Sequence, residues 1–222
     1  MTPTPRSCAL SALLLMSSAC FPTFQSARVE PGLHADVGVA VIADQERGTA
    51  EDGTDLLAYV SPAWGVSSQV ELGLAAGVYS RDLAAGDTRL VLMPYVKVGL
   101  LPATGRDHLA VSFQTNALVF PANLGVHYGH DLGSWEPQIS VTRIFSAGQA
   151  GDDPIVTRYQ QDRQSLWALG LGATWRGRWR PGVQVGLLYN SYTACCEPMG
   201  GGQFGPLEVR YVDLFVAGRI GL

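Results

Sequence analysis

The amino-acid sequence predicts an all-β fold: a single antiparallel up-and-down β-barrel of about 10 strands, with a range of about 8 to 12, that is transmembrane. Apolar residues recur at every second position through most of the chain, which is the side-chain period of a β-strand. The intervening positions hold small or charged residues, as in a barrel with lipid outside and a polar lumen inside. Charged residues make up only 15% of the chain, below the average of about 25% in soluble proteins.

The alternation is clearest in residues 69–101, which read as two strands joined by the polar break 80–87. One face of each strand carries the larger apolar residues, and the other face mixes small residues with Glu71 and Lys97. A hairpin centred near residue 84 places Glu71 across from about residue 97. We therefore predict a Glu71–Lys97 ion pair in the lumen, because pairing offsets the desolvation of two partly buried charges.

Eight further strands are predicted, at 34–43, 56–64, 109–119, 124–131, 136–145, 165–175, 183–192 and 207–222. The connections after strands one, three, seven and nine are mostly long and polar, and that after strand nine is the Gly-rich loop 193–206. The connections after strands two, four, six and eight are short, and so is 120–123 after strand five. Long loops on one side and short turns on the other are typical of outer-membrane barrels.

The N-terminal residues 1–19 read as a signal peptide, with the basic Arg6, an apolar core at 9–16 and small residues before Cys20. Residues 20–32 contain proline and show no periodicity, so we predict a linker there and a barrel domain at 33–222. No run of 18 apolar residues occurs, so we expect no membrane-spanning helix. The residues around Cys20 resemble a bacterial lipobox, which implies lipidation of Cys20; ordinary signal cleavage is the alternative.

The strand pattern of 33–222 resembles the small bacterial outer-membrane β-barrels of the porin-like superfamily. That resemblance implies export to the outer membrane of a Gram-negative bacterium, with membrane lipid and lipopolysaccharide as partners. The net charge of −4 gives no reason to expect nucleic-acid binding, and no feature of the sequence identifies a protein partner.

Three functions are compatible with such a barrel. The first is a non-enzymatic outer-membrane protein with a structural, surface-binding or narrow-pore role. The alternative is a soluble barrel tethered through Cys20 that binds an apolar ligand, and the third is an outer-membrane lipid-modifying enzyme. The first two place the same side chains on opposite sides of the wall, because lipid-facing residues of one are lumen-facing in the other. The diagnostic side chains are Leu72, Leu74, Val96 and Leu169.

The sequence predicts no catalytic, metal or cofactor site, and we expect no enzyme activity. His127 and His130 are three residues apart, which puts them on opposite faces of a strand. His108 and Ser112 share a face but lie four residues apart, too far for a direct hydrogen bond. His127 is therefore expected to be an ordinary lumen or rim residue.

Two other features of the sequence carry predictions. Cys195 and Cys196 are adjacent in the predicted loop 193–206, where oxidising conditions favour a disulfide between them or with a partner chain. Four tryptophans fall at the short turns or strand ends of one side, where a membrane interface would favour them and ordinary core packing is the alternative. We predict that Trp64, Trp135, Trp175 and Trp179 form a loose ring at one end of the barrel and that at least Trp64 and Trp175 point outward.

Overall fold

The computed structural model describes residues 23–43, 54–81, 87–116, 119–145, 165–177, 179–199 and 203–222. They form one closed barrel of ten antiparallel strands in which each strand pairs with its chain neighbours and the first pairs with the last. The predicted all-β up-and-down barrel is confirmed. The strands are β1 Gly32–Ala43, β2 Thr54–Gly65, β3 Val70–Arg81, β4 Asp87–Gly99, β5 Asp107–Asn116, β6 Val119–His130, β7 Trp135–Phe145, β8 Ser165–Trp175, β9 Gly182–Met199 and β10 Gln203–Gly221.

The alternation of side chains along each strand determines which residues lie inside the barrel. In β8, Trp167, Leu169 and Leu171 are exposed on the outer surface, whereas Ala168 and Gly170 between them are buried. This arrangement repeats around the wall because neighbouring strands pair in register and share their faces. Among the described residues, no helix is long and apolar enough to cross a membrane.

The two ends of the barrel differ. One end, which we call the turn end, holds the connections 66–69, 100–106, 131–134 and 176–181, the start of β1 and the end of β10. The 131–134 turn is tight: Gly133 has a φ of 87°, a left-handed conformation that favours glycine, and its N–H donates to Asp131 Oδ1 at 2.8 Å. The opposite end is called the loop end.

The hairpin of β5 and β6 differs from the predicted one. The sequence predicted a break at 120–123, whereas β5 ends at Asn116 and β6 already begins at Val119. The register shifts between Thr115 and Asn116, opposite the part of β6 that contains Pro121. Proline has no N–H to donate and is tolerated at such irregularities, so Pro121 marks a distortion within the strand and not the end of one.

The prediction of a loop at 193–206 is also wrong. β9 continues to Met199 and β10 begins at Gln203, because the two strands remain paired with each other almost to the connection 200–202. Beyond Ser191, β9 has no partner among the described residues of β8, and β10 pairs with the described residues of β1 only from Leu214 onward. Within 192–213, the described residues therefore form a two-stranded ribbon that extends past the described ends of β8 and β1. The backbone of Cys195 and Cys196 is part of β9. Their side chains, and with them the predicted disulfide, lie outside the described part of the structure.

The predicted linker contains residues that lie inside the barrel. Residues 23–31, called the plug from here on, run through the lumen to the turn end, where β1 begins at Gly32. Four of its side chains are only 1–5% exposed: Phe24, Ser26, Ala27 and Val29. A linker was predicted because a non-repeating segment shows no strand period, yet such a segment can still be buried. The signal peptide 1–19 and Cys20 lie outside the described residues.

Candidate functional site: the plugged lumen

The interior of the barrel has two parts of different chemistry. Towards the loop end, Ile42, Leu57, Val91, Ile144 and Leu188 belong to one buried apolar cluster that also includes Phe24 of the plug. Towards the turn end, the buried residues are mostly polar or charged, namely Glu71, Lys97, His108, His127, Glu136, Gln138 and Arg219. Side chains and the plug together fill much of this interior, as a barrel of this size permits.

Glu71 is the centre of the first polar cluster. Its Oε1 lies 2.9 Å from Lys97 Nζ and accepts a hydrogen bond from Tyr95 Oη at 3.0 Å. Its Oε2 lies 3.6 Å from His34 Nε2 and accepts the N–H of Glu30, in the plug, at 3.3 Å. Glu71 and Lys97 are direct partners in the β3–β4 register, so the structure brings together the pair that the hairpin pattern predicted.

A second ion pair closes the seam between the first and last strands. Arg219 of β10 donates through Nη1 to Asp36 Oδ2 of β1 at 2.8 Å. The same guanidinium stacks on the ring of Phe24 in the plug, with 4.9 Å between Arg219 Cζ and the ring centroid. Sequence reasoning missed this cluster because its members are far apart in the chain, although both charges occupy inward-facing positions of their strands.

The histidines fall on opposite faces of β6, as their spacing predicted. His130 faces outward and its Nδ1 lies 2.7 Å from Asp107 Oδ1, whereas His127 is buried in the lumen. His127 Nε2 lies 2.8 Å from Ser112 Oγ of β5, a contact across strands that the sequence did not reveal. A Cβ at Gly125 would lie 2.6 Å from His127 Nε2, so glycine leaves space for this contact.

The Ser112–His127 contact alone does not form a nucleophilic site. A catalytic serine and histidine are normally oriented by a third group on the other ring nitrogen, but His127 Nδ1 has no hydrogen-bond partner within the described part of the chain. Both residues are also buried, only 4% exposed, with the plug in place. The described residues also contain no group of three or more His, Cys, Asp or Glu side chains placed to hold a metal ion.

Wall side chains hold the main chain of the plug. The Gln138 amide accepts the N–H of Ala27 at 3.3 Å and donates to the carbonyl of Gln25 at 3.5 Å. Deeper in the lumen, Thr23 Oγ1 donates to Gln114 Oε1 at 3.5 Å. At the turn end, Glu30 forms an ion pair with Arg180. The plug is therefore fixed along its length by groups from several strands.

The apolar side chains of the plug lie against wall positions that lack a side chain. Each of three contacts pairs one plug residue with one glycine: Phe24 with Gly182, Ala27 with Gly129, and Val29 with Gly99. A Cβ added at these glycines would lie 3.0 Å from the Phe24 ring, 3.1 Å from Ala27 Cβ and 3.4 Å from Val29 Cγ2, respectively. These glycines and the hydrogen-bonding wall residues Glu71, Gln114 and Gln138 are called the plug seat.

The four tryptophans predicted to form a ring all lie at the turn end and point away from the lumen. Trp64, Trp135, Trp175 and Trp179 are 52%, 49%, 38% and 55% exposed, respectively. Trp135 and Trp175 are register partners, and their rings meet edge to face with centroids 4.6 Å apart. The rings do not converge inside the barrel, which core packing would have required.

Comparison of the chain with protein-family models and with curated proteins finds no match.

Proposed function

We propose that this chain is an integral β-barrel of the bacterial outer membrane whose lumen is closed by its own N-terminal plug. The observation that carries the proposal is the inverted distribution of polarity: ion pairs lie inside the wall and large apolar side chains lie outside it. Leu72, Leu74, Val96 and Leu169 are 38–45% exposed on the outer face. A barrel in water would expose this apolar surface at a free-energy cost, whereas a bilayer would cover it.

The four tryptophans at the turn end also support a location in the outer membrane. The four indole rings lie at one end of the apolar outer surface, and tryptophan prefers the interface between a bilayer and water. The tethered soluble barrel of the alternative hypothesis would need those four leucine and valine side chains inside, whereas they are exposed on the outer face and the lumen contains the buried charges of Glu71, Lys97 and Arg219. Outer-membrane lipid, including lipopolysaccharide, is the partner that this surface fits.

The filled interior favours a structural or surface-binding role over a narrow pore. The apolar cluster occupies the lumen towards the loop end, and the plug occupies it towards the turn end. The loop end offers a surface for binding on the ribbon 192–213, whose paired strands continue there past the described ends of β8 and β1. A non-enzymatic role is in keeping with the buried, unoriented Ser112–His127 pair.

The decisive experiment is a charge placed on the outer surface. Leu169 lies at the middle of β8, and we expect Leu169→Arg to destabilise the barrel in a bilayer by about 2–4 kcal/mol, as charges at the midplane do. Leu132→Arg is the matched control, because Leu132 is exposed in the turn 131–134 and outside the apolar surface. Folding into lipid vesicles is followed by the mobility difference between heated and unheated protein in gels.

The opposite outcome would remove the membrane assignment. If the unmodified chain stays soluble and folded without detergent or lipid, and Leu169→Arg is as well tolerated as Leu132→Arg, then the apolar surface is not a lipid contact.

A further inference from the structure

The plug leaves part of the hydrogen-bonding capacity of the lumen unused. Several wall atoms beside it are buried and have no hydrogen-bond partner in the described structure: His108 Nε2, Gln114 Nε2, Thr174 Oγ1 and Arg219 Nε. Each belongs to the surroundings of the plug. Gln114 binds Thr23, Arg219 stacks on Phe24, and Thr174 and His108 neighbour the glycines that contact Phe24 and Ala27. Because buried polar groups are normally hydrogen-bonded, this wall can bind more than residues 23–31 supply.

The contacts that the plug does make are those of peptide recognition. Gln138 binds a carbonyl and an N–H of the main chain, and Glu71 binds another N–H, so this part of the contact is independent of side-chain identity. The glycines of the plug seat instead select side chains by shape. Main-chain hydrogen bonds that supply affinity, together with pockets that supply specificity, are characteristic of sites for extended peptides.

We propose that the plug seat is a binding site for an extended peptide and that residues 23–31 are its resident, exchangeable occupant. The fitting ligand has an aromatic residue, a small residue three positions later and a β-branched apolar residue two positions after that, as in Phe24, Ala27 and Val29. An acidic residue follows, which Arg180 pairs with at the turn end. Entry is from that end, because the apolar cluster fills the lumen on the other side. The inference does not depend on the barrel lying in a membrane.

The test adds the plug sequence back as a separate molecule. The full chain carrying Phe24→Ala has a resident plug without its aromatic anchor, and the probe is a fluorescein-labelled peptide of the native sequence 23–31. Binding is measured by fluorescence anisotropy in detergent micelles. If the substitution raises the fraction of vacant seats from about 1% to about 10%, the apparent affinity for the peptide rises about tenfold over that of the unmodified chain. The same peptide with alanine in place of its phenylalanine is the matched control and should bind much more weakly.

A reversible crosslink supplies a second control. A Cβ at Gly99 would lie 3.4 Å from Val29 Cγ2, close to the separation of a Cβ from the far sulfur in a disulfide, so Val29→Cys with Gly99→Cys should bridge plug and wall. These substitutions are added to Phe24→Ala, with Cys8, Cys20, Cys195 and Cys196 replaced by serine. We expect no peptide binding to the oxidised protein and restored binding after reduction.

Two results would overturn the proposal. One is the failure of the native peptide to bind the reduced Phe24→Ala protein while that protein still shows folded mobility on gels. The other is equal binding to the oxidised and reduced forms, which would place the peptide elsewhere. If Phe24→Ala does not fold, Glu30→Gln replaces it, because it removes the Arg180 ion pair and leaves the ring in place; the same two results then decide.

Discussion

At the residue scale, Glu71 connects the wall and the plug. It is 1% exposed, and it combines a charge pair with Lys97, a hydrogen bond from Tyr95 and another from the main chain of Glu30. A buried carboxylate is stable only while such partners compensate its lost hydration. The stability of the hairpin β3–β4 and the seating of the plug should therefore change together when Lys97 is replaced.

We expect Lys97→Met to lower the free energy of unfolding by about 3–5 kcal/mol, because it leaves the Glu71 charge buried without its counter-ion. Adding Glu71→Gln removes that charge while keeping a hydrogen-bond acceptor, so the double variant should recover part of the loss. Urea titrations of the three proteins in the same vesicles measure the differences. A Lys97→Met protein as stable as the unmodified chain would show that Lys97 does not neutralise Glu71.

A second residue-scale prediction concerns Asp131, in a turn outside the strands. The Gly133 N–H, and after it the Arg176 guanidinium, hold the pKa of this carboxyl below its ordinary value of 3.8. Folding therefore favours the ionised form, and the resulting stability is present above about pH 4 and is lost as the pH falls through the lowered pKa. Asp131→Asn should accordingly lower the thermal midpoint at pH 7 by more than it does near pH 3. An equal loss at both pH values would contradict this assignment.

At the element scale, the plug is the feature that a sequence pattern could not reveal. Strand assignment depends on a side-chain period of two. This period located all ten strands, because each has one face of large apolar residues and one face of small or polar residues. Residues 23–31 have no such period, since their contacts are with glycines and amides contributed by different strands. The ribbon 192–213 was missed for another reason. Its glycines at 200–202 suggested a long loop, but they occupy only the connection between two paired strands.

The contact between Phe24 and Gly182 in the plug seat predicts the effect of replacing that glycine. Gly182→Leu would force a side chain into the space occupied by the Phe24 ring, so we expect the plug to leave the lumen and Arg28 to become accessible to trypsin. Gly218→Leu is the matched control, because the nearest atom to a Cβ at Gly218 is 3.8 Å away. Cleavage after Arg28 is followed by mass spectrometry. Equal cleavage of the two variants would mean that Gly182 does not hold the plug in place.

At the scale of the whole molecule, the ion pair Glu71–Lys97 and the outward tryptophans could be anticipated because each depends on local register or on height along a strand. The Arg219–Asp36 pair and the Ser112–His127 contact could not, since they require knowledge of which strands become neighbours and how side chains reach diagonally across them. Closure itself was foreseeable: ten strands joined in antiparallel order leave the start of β1 and the end of β10 at one end and make these two strands antiparallel, so they can pair.

The filled lumen predicts the electrical behaviour of the whole barrel. In planar bilayers we expect no conductance from the unmodified chain, and none from Phe24→Ala either, because the apolar cluster at the loop end excludes water and ions even when the plug is loosened. Single-channel recording at a range of voltages measures this. Steady openings in the unmodified chain would show that the interior contains a continuous path.

Arg219 makes two early parts of the chain, β1 and the plug, depend on β10 for a contact. This residue of the last strand binds Asp36 of the first strand, 183 residues earlier in the chain, and stacks on Phe24, which is synthesised earlier still. Until β10 is in place, Asp36 lacks this ion pair, Phe24 lacks this stacking contact, and β1 lacks its pairing with β10. An intermediate that lacks β10 would therefore leave both contacts unmade, so closure of the wall and seating of the plug depend on the same guanidinium.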